Sequence, residues 1–157
     1  MVKKIVLFVY LILFVNCERD KFSKFKTFPN GWGYNDKLQF EFSLKQTNPL
    51  DVFINIRNNN SYKFSNIFLI AKLRDSTDVI FLDTLEYVMA DSKGNWLGKG
   101  FLGVKENRLW WKEKWEPNKK GIYSIELRYS MRHNGKINKI ENLEGIIDVG
   151  VSIIEEK

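Results

Sequence analysis

The chain has 157 residues and a formal charge of +6, with 44% hydrophobic and 15% aromatic residues. That aromatic load excludes a disordered chain, which lacks the apolar surface to offset its ordering entropy, and the length fits one domain with a real core. Lysines and acids are interspersed without a run of five or six like charges, so a solvated surface is expected and no nucleic-acid partner.

Lys3 and Lys4 precede an unbroken apolar stretch, IVLFVYLILFV, at residues 5–15. A signal-peptide core runs about 7–15 residues and a bilayer-spanning helix needs about 20, so residues 1–16 read as an export signal. Its removal takes two lysines away and leaves the mature chain at about +4. The one cysteine of the chain, Cys17, follows directly, and a lone thiol in an exported protein cannot close an internal disulfide. The segment Leu13-Phe14-Val15-Asn16-Cys17 resembles a bacterial lipobox, although Phe14 and Asn16 depart from the strict pattern. That resemblance implies diacylglycerylation of the thiol, cleavage before Cys17 and acylation of the new amino group. Two or more acyl chains hold a protein stably to a membrane without a spanning helix, so the membrane is an expected partner. The covalent lipid aside, no cofactor is expected. Residues 17–36 then form a lipidated N-terminus and tether, in which Phe22, Phe25 and Phe28 among lysines carry some interfacial affinity.

From residue 37 the alternation is close to ideal, with Leu38, Phe40, Phe42 and Leu44 on one face and Gln39, Glu41 and Ser43 on the other. Asn48-Pro49 breaks this strand, and Val52, Ile54 and Ile56 repeat the period up to the turn cluster Asn58-Asn59-Asn60-Ser61, as in a hairpin. Further strands are expected at 67–73, 79–90, 121–131 and 146–154, six or seven in all. The 106–120 stretch reads as an extended loop, and residues 138–143 allow at most one helical turn. Many short strands without intervening helices argue for two packed antiparallel sheets or a barrel, and because immunoglobulin-like sandwiches have this length, an all-β antiparallel sandwich of the immunoglobulin-like kind is expected over residues 37–157.

Little in the sequence speaks for catalysis. Triad hydrolases need an imidazole, and the one histidine, His133, sits in the turn-like Arg132-His133-Asn134-Gly135. Acid pairs such as Asp75 with Asp78 and Asp83 with Glu86 have the composition of a glycosidase pair, but acids alternating on strands or set in turns usually face solvent. No metal site is expected, because His133 is the only transition-metal donor of its kind left after lipidation of Cys17. Gly94-Asn95-Trp96-Leu97-Gly98-Lys99-Gly100 is not followed by a helix whose N-terminus would hold a phosphate, so it reads as a bend or bulge. The best candidate for a contact surface is Trp110, Trp111 and Trp115 among cations. Neighbours on a strand point to opposite faces, so one of Trp110 and Trp111 should be buried and the other exposed. An exposed indole there suits a sugar ring, a bilayer interface or a protein partner, and the alternative is that all three cover the core.

Taken together, the chain resembles the GldH family of gliding-motility lipoproteins. The resemblance is carried by Arg57 and Asn58, Tyr62 and Asn66, Asp83 and Thr84, and by Gly94, Trp96, Gly98 and Gly100 in the glycine-rich stretch. It continues through Gly121 and Tyr123, Met131 and Arg132, and the tail with Gly145, Asp148 and Gly150. It implies a non-enzymatic lipoprotein of the cell envelope, outer membrane included, needed for surface gliding. It also implies partners in the gliding machinery and in the associated outer-membrane secretion system. The competing expectation is a lipid-anchored glycan-binding module that stacks sugars on Trp110, Trp111 or Trp115.

Overall fold

The computed structural model describes residues 20–133 and 138–155; Cys17, the export signal, and Asn134 and Gly135 of the histidine turn lie outside them. Its strands form where alternating apolar side chains can be buried. In chain order they are β1 (Phe22–Thr27), β2 (Trp32–Gly33), β3 (Leu38–Leu44), β4 (Leu50–Asn58), β5 (Asn66–Arg74), β6 (Val79–Val88), β7 (Lys105–Trp115), β8 (Gly121–Tyr129), β9 (Asn142–Leu143) and β10 (Ile146–Glu155). No helix occurs among the described residues.

Two four-stranded antiparallel sheets result, ordered β1-β10-β4-β7 and β3-β8-β5-β6, with the short pair β2-β9 beside them. β3 alternates buried and exposed side chains from Leu38 to Leu44, as its period demands. Val52, Ile54 and Ile56 of β4 and Val149, Val151 and Ile153 of β10 meet Leu69, Leu73, Ile125 and Leu127 of the other sheet in one core. Aromatic contacts close the inter-sheet space at one end, with Trp115 edge-on to Tyr123 at 5.4 Å and Phe22 against Phe42 at 5.5 Å.

The all-β sandwich is the one the alternation calls for, and the connectivity specifies it further. Only β5 and β6 are joined as neighbours in one sheet; every other connection between long strands crosses to the opposite sheet. This is the eight-stranded double Greek key of a jelly roll, where an immunoglobulin-like domain would keep more local hairpins. The hairpin expected between 37–44 and 52–56 is therefore corrected: Asn48-Pro49 carries the chain from β3 in one sheet to β4 in the other. Alternation has the same period whichever sheet the next strand joins, so the sequence could not separate the two.

The other corrections concern segments read as irregular. The 106–120 stretch contains β7, an edge strand along β4. Residues 22–36 are not a tether: β1 pairs with β10 from Phe22↔Ile153 to Thr27↔Asp148. Trp32 is fully buried, stacked on Phe28 at 5.8 Å, edge-on to Tyr129 at 5.1 Å, and donates its indole N–H to the Asp36 carbonyl at 2.9 Å.

Candidate functional site

Several of the residues singled out in the sequence converge at one end of the sandwich, where the β4–β5 turn, the β6–β7 connection and the β9–β10 turn meet. Asn58 ends β4 fully buried, and its side-chain oxygen accepts from the Asn107 amide of β7 at 2.9 Å. The same Asn107 amide donates to the Ile56 carbonyl at 3.1 Å, so two buried polar side chains satisfy each other and lock β4 to β7. Gly98 leans on this pair, because a Cβ there would come within 2.6 Å of the Asn107 side-chain oxygen.

Tyr62 fills the space beneath the β4–β5 turn and donates its hydroxyl to the Asn66 carbonyl at 2.8 Å. Burial pushes its pKa well above the ordinary tyrosine value, so it acts as a neutral packing group. Trp96 lies against the Tyr62 ring at 6.1 Å and reaches Asn60 through its indole N–H at 3.1 Å, which ties the β6–β7 connection to the β4–β5 turn. Asp91 folds that connection: its carboxylate accepts the backbone N–H groups of Lys93 at 2.9 Å and Asn95 at 2.8 Å and the Asn95 side-chain amide at 2.9 Å. The Asn95 side-chain bond, followed by these backbone bonds, holds the Asp91 pKa below the usual carboxylate range.

This braced connection presents apolar side chains outward. Phe101 is 80% exposed and Leu102 91%, and Leu97 and Val88 are each more than half exposed. Val88, Leu97, Arg108 and Leu109 line a groove between the connection and β7. Sequence reasoning passed over both features. Phe101 and Leu102 stand between Gly100 and Gly103, which was the available signal for an apolar tip, while nothing in the run around Asn107 marks it as buried.

The remaining positions are dispersed. Arg57 faces Glu106 at 3.3 Å and Asp148 at 3.6 Å on the outer face of the first sheet, with Phe25 under its guanidinium at 4.8 Å. The Phe25 ring also lies close over Gly150. Asp83 accepts the Trp111 indole N–H at 2.9 Å and pairs with Lys112 at 3.0 Å. Partial burial pushes its pKa upward, but the bonds from Trp111 and Lys112 outweigh this and hold it low. Thr84 is exposed on β6. Gly121 and Tyr123 lie at the opposite end, where the Tyr123 hydroxyl donates to the Lys119 carbonyl at 2.5 Å. Met131 is buried and takes the Phe68 N–H on its sulfur at 3.2 Å, and Arg132 and His133 are exposed beside it. Gly94 and Gly145 sit in turns.

The three tryptophans do not form one surface. Trp110 is 53% exposed, whereas Trp111 and Trp115 are buried, so a stacking platform of all three is absent. The acid pairs do not converge either. Asp75 accepts the Thr77 and Asp78 N–H groups at 2.7 and 2.8 Å and faces Lys119 at 2.9 Å, as a turn cap. Asp83 binds Trp111 and Lys112, while Glu86, three residues on and so on the other face of β6, takes the Asn66 amide at 2.7 Å.

A family model described as GldH lipoprotein matches residues 20–153. A protein of Christiangramia forsetii named gliding motility lipoprotein GldH homolog is 38% identical over 152 residues, covering 95% of this chain and 93% of its own length. The gliding motility lipoprotein GldH of Flavobacterium johnsoniae is 35% identical over 150 residues, with 94% and 93% covered. Among solved structures, a family GH115 4-O-methyl-α-glucuronidase matches with a TM-score of 0.48 and 12% identity over 88% of this chain and 18% of that one, too slight a likeness to bear on fold or activity.

Proposed function

Because the chain belongs to the GldH lipoprotein family, we propose that it is a non-enzymatic accessory or scaffold component of the cell envelope, needed for surface gliding and for the associated protein secretion. In this reading a lipid on Cys17 anchors it in the outer membrane, and the loop end of the sandwich docks an envelope protein of the gliding machinery. The observation that carries the docking role is the apolar tip Phe101-Leu102, held out on a connection whose base is fixed by Asn58, Asn107 and Trp96. Clustered exposed apolar side chains on a rigid base mark interaction sites, because solvent offers no reason to hold them there.

The test is the double variant Phe101→Asp with Leu102→Asp. Both side chains are exposed, so the fold should survive with a stability change within about 0.5 kcal/mol. Full burial of a Phe or Leu contributes about 1.5–3 kcal/mol each, so a partner should bind about a hundredfold more weakly or worse. Cells carrying the variant should stop gliding while circular dichroism of the purified domain is unchanged. Normal gliding by a folded double variant would remove the docking role from this loop.

A further inference from the structure

The anchor end of the domain carries its own surface. Asp20 precedes β1 at one edge of the first sheet, yet its carboxylate meets the Arg108 guanidinium of β7, the opposite edge, at 3.3 Å. Four strands at about 4.8 Å spacing put those edges about 14 Å apart, so Asp20 and the Arg108 side chain reach toward each other over the outer face of the sheet. The Arg108 guanidinium lies over the Phe53 ring at 4.1 Å, and the Trp110 ring packs tilted against Phe53 at 4.2 Å. Lys21 is fixed at the same end by its backbone bond to the Ile153 carbonyl at 2.8 Å and by its ion pair with Glu155.

Only three peptide units join Cys17 to Asp20, and fully extended they span at most about 11 Å. A lipid on Cys17 therefore leaves the surface around Asp20 no room to stand off from the bilayer. That surface holds a half-exposed indole beside an arginine, the pair of residue types that settles at the headgroup level with the ring toward the acyl boundary. The row Ser23↔Ser152, Ser152↔Phe53 and Phe53↔Trp110 runs straight across the sheet at this level. The Phe101-Leu102 tip lies toward the other end of β10, a strand of ten residues and so about 30 Å long.

We propose that the part of the outer face of the β1-β10-β4-β7 sheet around Asp20, with Trp110 as its inserted ring, rests on the phospholipid headgroups of the anchoring membrane. The loop end then stays clear of that membrane and available to a partner. This rests on lipidation of Cys17, as in the reading above.

The experiment uses the full, lipidated protein purified from membranes, in which acylation of Cys17 leaves an introduced cysteine as the only free thiol. An environment-sensitive fluorophore is attached in turn to Trp110→Cys, to Ile122→Cys on the outer face of the second sheet, and to Phe101→Cys at the loop tip; all three native side chains are exposed. Each protein is reconstituted in phosphatidylethanolamine–phosphatidylglycerol vesicles bearing a nitroxide on the headgroup. The label at position 110 should lose most of its emission, and the labels at 122 and 101 little. A vesicle-bound protein quenched as strongly at 101 or 122 as at 110 overturns the proposal and leaves the lipoprotein reading standing. A protein without lipid on Cys17 that fails to float with the vesicles overturns both.

Discussion

Trp32→Ala should cost about 3–5 kcal/mol of unfolding free energy, the range for emptying a large aromatic site in a well-packed core, out of the roughly 5–15 kcal/mol that hold an ordinary domain together. The indole is fully buried between Phe28 and Tyr129, and the short β2-β9 pairing presses it into place through Trp32↔Leu143. Truncation leaves a cavity lined by rings that cannot collapse into it, and it orphans the Asp36 carbonyl that accepted the indole N–H. Urea unfolding measures this as a lower midpoint at unchanged slope. The same substitution in a solvated tether would stay within about 0.5 kcal/mol, so the result decides whether the domain begins at β1 or near residue 37.

Gly145→Ala should cost about 2–5 kcal/mol, from left-handed backbone strain together with overpacking. Gly145 has a φ of +83°, and a Cβ there would sit 2.1 Å from the Tyr62 backbone nitrogen. Its carbonyl also accepts the Asn59 N–H at 2.9 Å, so the turn between β9 and β10 is clamped on the turn after β4. Neither backbone segment can move without disturbing Tyr62, which is buried beneath the loop end of the sandwich. Gly94→Ala is the internal control: its φ is also +83° but nothing lies within 4 Å, so it should lose the strain alone, about 1–2 kcal/mol. Equal thermal unfolding shifts for the two variants would show that the β9–β10 turn is not packed as described.

These two positions also mark how far the sequence could be read. β3 was legible because one of its faces is solvated, which forces strict alternation. β4 was legible on one face only. Phe53 and Asn55 point away from the core and are nevertheless buried, Phe53 under Trp110 and Arg108 and Asn55 against Ser152. Such cover comes from a neighbouring strand and leaves no period in β4 itself. β1 was hidden because an edge strand with one hydrogen-bonded neighbour tolerates lysines at Lys24 and Lys26, and its phenylalanines at 22 and 25, followed by Phe28 just past its end, break the period of two. β7 was hidden by register shifts against β4 between Leu50 and Phe53, where extra residues in β7 oppose β4, and by the polar Asn107 and Glu113 that share the parity of the buried Trp111 and Trp115.

At the loop end, the resemblance picked out Asn58, Tyr62, Trp96, Gly98 and Gly145 as a set without saying what united them. The structure gives the reason: they brace one another, and most are buried or in close contact rather than exposed. Asn107, the partner of Asn58, carried no signal because polar residues inside a strand run are usually solvated. The exposed residues that this brace supports, Phe101 and Leu102, lie between the residues that carry the resemblance. Of the tryptophans, strand geometry predicted a split between Trp110 and Trp111, and only the register of β7 could tell which of the two is outside.

Whether the domain is held to a membrane by a lipid on Cys17 is read most directly by mass spectrometry of the N-terminal peptide of the protein purified from native membranes. The expected result is a peptide that begins at Cys17, with a diacylglyceryl group on the thiol and a further acyl chain on the amino group. A chain that still begins at Met1 with a free thiol on Cys17 would contradict it.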